Sequence, residues 1–385
     1  MPRRSETRTV YQPSVEKVAN LLRDPVARLR FLQSAAPLPG VRPSWQWSGL
    51  MCLVLARSSL IRVALFSAAA MALAIVVLMV TSTHAAVLPA LRPPIRPPTV
   101  RESPPDKVWL VEQGASEETY SNGLRVDDRY LVRHVPRSYL AFQADHPSRA
   151  VRRHEPAGIV FHTTESHQAP FAAEQNDELR RIGESLLEYV RRKFAYHFVI
   201  DRFGRVYRVV AESDAADHAG SSLWADDQWL YINLNPSFLG VSFEARTEPG
   251  QSDSGASPAQ VHSAAMLTEM LRSRYRIPAA NCVTHAQVSV NPANMLVGYH
   301  TDWASGFPFE RVGLPNNYAQ ALPAVWAFGF VAAAEFRSMT GERLAEGIDR
   351  AEKALRDGAL AEGSTLPVYR SRLQKAYRQR LAAMK

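Results

Sequence analysis

The feature that most constrains this chain is an uncharged apolar run near its N-terminus. Residues 63–80 contain no charged side chain, and 18 such residues are just enough to span the hydrocarbon core of a membrane as a helix. Arg57 and Arg62 stand just before the run, and positive charge on that flank keeps it cytoplasmic. The run therefore predicts that the part of the chain after it is exported.

This apolar run has two interpretations, a retained signal anchor or a cleaved signal peptide. Small residues at 83 and 85, before Ala86, suit cleavage by a signal peptidase. A leading segment over residues 1–62 is too long for a standard signal peptide, whereas a start at Met51 would give an ordinary one. We predict a basic cytoplasmic segment over 1–62 and an anchor or signal peptide over 63–86.

Charge is unevenly distributed along the chain. Of the 45 Lys and Arg and the 37 Asp and Glu, residues 1–86 hold ten and three, so this part accounts for +7 of the net +8. The nearly neutral remainder is a poor partner for phosphate backbones, so we expect no nucleic acid partner. Only Cys282 follows the apolar run, which leaves no intrachain disulfide to an exported domain.

The remaining chain divides by composition into three parts. A proline-rich linker over 87–106, either a semi-rigid spacer or a disordered connector, precedes a folded domain over 107–318. We predict a helical C-terminal extension over 319–385. Within it, the apolar stretch 322–334 is too short to span a membrane and predicts a packed helix.

Apolar patterning in the folded domain alternates between strands and helices. It predicts a buried strand over 158–162, a helix over 177–194, a hairpin over 196–210, a strand over 239–245 and a helix over 257–275. Such alternation is typical of an α/β domain built around a mostly buried sheet.

Side chains that bind metals or move protons stand near the ends of these predicted strands. They are His162, Tyr196, His197, His218, His285, His300 and Asp302. Two imidazoles and one carboxylate that meet at a point can hold zinc and leave a fourth position for water, which suits amide hydrolysis. Spacing alone is a weak signal, because none of these histidines lies in a compact motif such as HExxH.

The order of the surrounding motifs is more specific. GIVFHTTES, YHFVIDRFGRVYRVV, DHAGSS, NPSFLGVSFEA, THAQVS and HTDWASGFPF follow one another between about residues 155 and 312. Together they resemble the zinc-dependent N-acetylmuramoyl-L-alanine amidases, the family that includes phage amidase lysozymes and peptidoglycan recognition proteins. The resemblance implies an α/β fold with a mixed central sheet of about five or six strands flanked by helices. It also implies Zn²⁺ bound by His162, His285 and Asp302.

The chain departs from the pattern of this family close to the implied metal. Sixteen residues separate His285 from Asp302, more than the family usually has. His300 stands where a lysine commonly stabilises the oxyanion, and we expect a protonated His300 to donate to the same oxygen. The tyrosine of the phage-type branch corresponds to Tyr196.

The catalytic base and the substrate contacts are less well defined by the sequence. The position of a catalytic glutamate in one branch of the family holds Ser242 here, and Glu244, two residues on, is a candidate base. His218 is a candidate for contact with substrate or for a structural role in its loop. Trp224 is a candidate for the rim of a binding groove or for the core.

These expectations combine into an exported zinc amidase that cuts the amide between N-acetylmuramic acid and L-alanine in peptidoglycan or muropeptides. Two alternatives remain open, a peptidoglycan sensor without turnover and a zinc hydrolase of another exported amide. The predicted location is the periplasm or cell surface, or the inner membrane if the anchor is retained.

Overall fold

A computed structural model describes residues 105–146, 148–248 and 255–384. The predicted cytoplasmic segment, the apolar run and nearly all of the proline-rich linker lie outside these residues. Of the helices in the described ranges, none is both long and apolar enough to cross a membrane.

Fourteen strands occur in the described part of the chain. They are β1 (Leu110–Gln113), β2 (Glu117–Tyr120), β3 (Arg125–Asp127), β4 (Tyr139–Gln143), β5 (Ala150–Arg153), β6 (Gly158–Thr163), β7 (Phe198–Ile200), β8 (Val206–Arg208), β9 (Leu223–Ala225), β10 (Trp229–Ile232), β11 (Phe238–Phe243), β12 (Cys282–Thr284), β13 (Val290–Asn291) and β14 (Leu296–Val297). A mixed eight-stranded sheet has the order β1-β2-β3-β8-β7-β11-β6-β12, and a second sheet has the order β5-β4-β10-β9. The β13–β14 hairpin forms a third.

Seven α-helices accompany these sheets in the residues that the structure describes. They are α1 (Asn176–Lys193), α2 (Pro258–Tyr275), α3 (His285–Val288), α4 (Pro323–Trp326), α5 (Ala334–Met339), α6 (Glu342–Ala361) and α7 (Leu366–Ala383). The apolar side of α1 packs with Val199 and Tyr207 on one face of the large sheet. Helix α2 packs on the other face, with Phe198 and Phe243. Its start is fixed by Ser257, whose hydroxyl accepts from the Gln260 N–H in a capping box.

The centre of the large sheet is parallel and entirely buried. Strands β6 and β11 are buried at every position, as expected for strands that are covered on both faces. Strand β11 runs parallel to β6 with Ser242 opposite His162, and β12 runs parallel to β6 on its other side with Thr284 opposite Phe161. The carboxyl ends of these three strands therefore lie together.

The large sheet has eight strands rather than the five or six expected from the resemblance. The difference is the meander β1–β3, which joins the sheet through the parallel pairing of β3 with β8. A partly buried ion-pair cluster holds this meander in place, because Arg208 donates to Asp128 at 2.8 Å and to Glu118 at 2.7 Å. Buried charges are tolerated when they are paired in this way.

The C-terminal part is helical, but the apolar stretch 322–334 is not the single helix that its composition predicted. Helix α4 ends at Trp326, and Gly329 follows with a φ of +75°, a conformation that does not continue a helix. Val331 instead bridges to Leu296 of the β13–β14 hairpin. The stretch is therefore packed as predicted, while most of it has a different backbone conformation.

Candidate metal centre

The two histidines of the site lie at the carboxyl ends of two parallel strands. His162 lies near the end of β6, and His285 begins helix α3 directly after β12. Because β6 and β12 are neighbours and run in the same direction, the two rings meet, with centroids 4.4 Å apart. The loop that carries the third residue is attached to α3, since Ala286 N–H donates to the Asp302 carbonyl oxygen at 3.2 Å.

The Asp302 carboxylate lies between the two rings. Its Oδ2 is 3.2 Å from His162 Nδ1, and its Oδ1 is 2.8 Å from His285 Nδ1. One ligand atom from each of the three residues lies within 4.8 Å of the others. Within the described part of the chain, His285 Nε2 is buried with no hydrogen-bond partner. This nitrogen, nitrogen and oxygen donor set, with one orphaned nitrogen, could hold a metal ion.

The electrostatics of the centre favour the protonation states that a metal ion needs. Burial lowers the pKa of His162 to about 4, so its ring is neutral near pH 7. Burial alone would raise the pKa of Asp302, but the interactions with His285 and His162 outweigh it and hold that pKa well below its usual range. A neutral imidazole and an ionised carboxylate are the forms that bind metals.

Tyr196 lies against one side of this centre. Its ring centroid is 5.1 Å from that of His162, and its φ of +35° is unusual for a residue with a side chain. Burial, reinforced by the nearby charge of Asp302, raises the pKa of the phenol above its usual value. Tyr196 therefore keeps its proton near neutral pH and can donate a hydrogen bond, but it cannot act as a base in that state.

His300 lies against the other side, stacked on His285 with centroids 4.7 Å apart and planes 20° from parallel. The extra residues between His285 and Asp302 form the β13–β14 hairpin, and the hydroxyl of Ser289 accepts from the His300 N–H at 3.0 Å. Burial, and then the proximity of His285, lower the pKa of His300. This reduces the protonated fraction that we expected to donate to an oxyanion.

Glu244 lies apart from the three ligands. Its Oε2 accepts from the Arg202 backbone N–H at 3.2 Å and faces Gly183 of α1. Burial raises the pKa of this carboxyl to about 7. The structure therefore places this candidate base in a pocket beneath α1, whereas Ser242 is the residue opposite His162.

The two candidates for substrate contact are both buried. Trp224 is 1% exposed in the small sheet and donates from Nε1 to Asn281 Oδ1, so it belongs to the core and not to an accessible rim. His218 is also buried, and its Nδ1 lies 3.0 Å from His162 Nε2. This burial and the contact with His162 fit the structural role of His218 better than contact with substrate.

Tyr299 and Arg137 have features of functional residues that the motifs did not reveal. Tyr299 is 62% exposed, with its ring edge-on to His300 at 4.8 Å. Its position next to His300 in GYHTDW was a usable signal. Arg137 is 2% exposed and lies behind the centre, and nothing in its sequence context marks it.

Comparison with known proteins shows which family the segment around this centre resembles. Residues 152–302 match the Amidase_2 family model, described as N-acetylmuramoyl-L-alanine amidase. The match begins in β5 and ends on Asp302, so it contains all three candidate ligands. This segment is therefore similar to the Amidase_2 family. No curated protein sequence matches the chain.

Several solved structures are similar to part of the chain. One is the amidase AmiD from E. coli in complex with anhydro-N-acetylmuramic acid-L-Ala-D-gamma-Glu-L-Lys (22% identity, 44% of this chain and 61% of that chain, TM-score 0.31). A second is AmpDh3 from Pseudomonas aeruginosa in complex with anhydromuramic pentapeptide (21%, 41% and 58%, 0.31). A third is the amidase LysC from Clostridium intestinale (20%, 47% and 93%, 0.26). The chain spans about 60% of the length of the first two.

Proposed function

We propose that this protein is a zinc-dependent amidase that hydrolyses the bond between N-acetylmuramic acid and L-alanine in peptidoglycan. The main support for this proposal is that the ligand atoms of His162, His285 and Asp302 converge in a buried position. All three residues lie within the segment that matches the Amidase_2 family model. A sensor without turnover would not require three converging ligands in the protonation states that bind metal.

The donor set favours zinc among the common metals. Imidazole and carboxylate ligands suit zinc, and three protein ligands are the usual number at a catalytic zinc site. When bound, zinc polarises an amide carbonyl and lowers the pKa of water. The Nδ1 atoms of His162 and His285 both face the Asp302 carboxylate that would share the ion.

Two side chains of this chain flank the position of the reacting amide. Tyr196 keeps its proton because its pKa is raised, so we assign to it a hydrogen bond to the oxygen on which negative charge develops. His300 presents an exposed imidazole on the opposite side of the centre, stacked on His285. We assign to His300 a contact with the same oxygen or with the attacking water.

The experiment is product analysis by mass spectrometry of soluble muropeptides incubated with the full-length chain, with added zinc or with a chelator. The proposal predicts free stem peptides and free sugar fragments with zinc and neither with chelator. Intact muropeptides that nevertheless bind the protein would favour the sensor. Cleavage at another bond would favour a different hydrolase on the same scaffold.

The location of this activity is a further part of the proposal. The arginines before the apolar run favour a cytoplasmic N-terminus and an amidase domain in the periplasm or at the cell surface. N-terminal sequencing of the mature protein tests this. A start at Ala86 or Val87 would mean cleavage, and an intact N-terminus in the membrane fraction would mean a retained anchor.

A further inference from the structure

A row of aromatic rings leads from the metal centre to the surface of the domain. The His162 and His285 centroids are 4.4 Å apart, and His300 is stacked on His285 at 4.7 Å. The Tyr299 ring lies edge-on to His300 at 4.8 Å and is 62% exposed. The row therefore ends on a large, accessible aromatic side chain close to the centre.

The backbone on both sides of Tyr299 is held in place. Tyr299 follows the β13–β14 hairpin, whose strands pair through Val290 and Val297. Ser289 accepts from the Gly298 N–H through its carbonyl oxygen at 2.8 Å and from the His300 N–H through its hydroxyl at 3.0 Å. The exposed ring of Tyr299 thus stands on an anchored segment.

The C-terminal extension contacts the same hairpin. The Val297 N–H donates to the Val331 carbonyl oxygen at 3.0 Å, and the Val331 N–H donates to the Met295 carbonyl oxygen at 2.9 Å. Phe336 of α5 packs directly on Gly298, where any Cβ would overlap its ring. Val331 and Phe336 lie beyond the segment that matches the family model. The extension therefore supports one wall of the site from outside that segment.

This wall has almost no capacity to pair with a charged ligand. Residues 286–301, which include the hairpin, Tyr299 and His300, contain no Asp, Glu, Lys or Arg. In the proposed substrate, the carboxyl group of N-acetylmuramic acid is consumed in the scissile amide, so the sugar side is uncharged, whereas the stem peptide carries ionised carboxylates. Because an unpaired charge is costly to desolvate, the wall suits the sugar side of the substrate.

We propose that Tyr299 binds the N-acetylmuramic acid part of the substrate by packing its ring against the sugar. The C-terminal extension positions Tyr299 for this contact through the hairpin. This inference rests on the proposed function and adds to it the residue that holds the sugar. An aromatic ring offers a flat apolar area with few rotatable bonds, and an anchored segment loses little further freedom when it binds.

The first test maps the contacts of a soluble N-acetylglucosaminyl-N-acetylmuramoyl tripeptide by saturation-transfer difference NMR. The metal-free, full-length chain is used, so that the probe is not consumed. Sugar protons should be saturated by the wild type and by Tyr299→Phe, which keeps the ring. Tyr299→Ala should lose this saturation while the peptide protons keep theirs. Unsaturated sugar protons in the wild type, or unchanged saturation in Tyr299→Ala, would overturn the inference.

The second test is the kinetics of stem-peptide release. Tyr299→Ala should raise KM about 3–10-fold and leave kcat within about twofold of the wild type, because an aromatic contact of ordinary strength is lost equally from the ground and transition states. Trp109→Ala removes a ring that is 57% exposed next to β1, at the opposite edge of the large sheet from β12. This control should change neither constant. An unchanged KM in Tyr299→Ala would contradict the inference.

The role of the extension is tested with a conservative variant that keeps the core apolar. Phe336→Leu removes the ring that packs on Gly298, and KM should rise about twofold or more, with no further rise when it is combined with Tyr299→Ala. Tyr369→Leu is the matched control, because Tyr369 is a buried ring of the extension that packs on Gly358 in a separate cluster. Equal KM values for Phe336→Leu and Tyr369→Leu would overturn this role.

The proposed function and this inference can fail separately. If the wild-type chain releases no stem peptide, the amidase proposal fails, while the saturation of the sugar protons still decides the role of Tyr299. If the wild type and Tyr299→Ala release stem peptides equally at every substrate concentration, the inference fails and the amidase proposal stands.

Discussion

Two buried carboxylates in this domain have opposite surroundings. Asp302 lies between two imidazoles, which hold its pKa well below the usual range despite burial. Glu244 lies under α1 with one backbone N–H as a donor to its carboxylate, and burial raises its pKa to about 7. The comparison shows that burial alone does not make a carboxylate functional. Its partners decide whether it stays charged and ready for a cation or takes up a proton.

The comparison predicts that substitutions on the Asp302 side impair catalysis and that substitutions at Glu244 change stability. The largest effect is expected for Asp302→Ala. Loss of a ligand removes the metal contribution of several kcal/mol to the transition state, which corresponds to a rate loss of about 10³-fold or more. The measurement is the initial rate of stem-peptide release at saturating zinc. A loss below tenfold would mean that Asp302 is not a ligand.

Tyr196→Phe is expected to have the next largest effect. It removes one hydrogen-bond donor to the developing oxyanion, and kcat should fall about 10²–10³-fold with little change in KM. Zinc affinity should stay as in the wild type, because the phenol is not a ligand. An equal fall in zinc affinity would indicate that the ring acts only by packing against His162.

His300 can be tested with two substitutions, one that removes the imidazole and one that replaces it with an amine. His300→Ala should lower kcat about tenfold or more, because a contact with the reacting oxygen is lost. His300→Lys, which places the residue of the resembled family at this position, should retain more activity than His300→Ala. Rates at several pH values compare the two variants. Equal losses in both would mean that His300 acts through its stacking on His285 and not through proton or charge contacts.

Glu244→Gln tests the other side of the comparison. The folded chain binds a proton at Glu244 up to about pH 7, whereas the unfolded chain releases it near the ordinary value of 4.5. In the wild type, the proton bound at Glu244 stabilises the folded chain fully below pH 4.5, and this stabilisation is lost as the pH rises to 7. Glu244→Gln lacks this loss, so its stability relative to the wild type should rise across that window by up to about 3 kcal/mol.

Urea unfolding at pH 4.5, 6 and 8 measures this change, and the amidase rate supplies the second readout. The rate should stay within about twofold of the wild type at pH 7. A loss of about 10²–10⁴-fold would instead identify Glu244 as the general base.

Strand ends were the part of the site that sequence could predict well. The apolar run ending on His162 and the turn at His285 carry their own signals, and the observed α1 is within one residue of the predicted helix. The meander β1–β3 was missed, because short strands such as EETY have little apolar pattern. Trp224 depends on tertiary context, since its burial requires the second sheet to fold over β6.

The partners of the site residues could not be predicted in the same way. Nothing in the sequence places Arg137 near His218, because 80 residues separate them and only the folded sheet brings both to the carbonyl oxygen of Phe238. The pocket of Glu244 likewise depends on a glycine of α1, which leaves room for the carboxylate. Long-range packing determines such environments, and a local sequence motif carries no information about that packing.

The central claim is that Asp302 completes a metal site and Glu244 does not. Zinc content after equilibrium dialysis measures it directly in the full-length chain and in its Asp302→Ala and Glu244→Gln variants. We predict one zinc ion per chain in the wild type and in Glu244→Gln, and none in Asp302→Ala. Full zinc content in Asp302→Ala, or its loss in Glu244→Gln, would contradict the account.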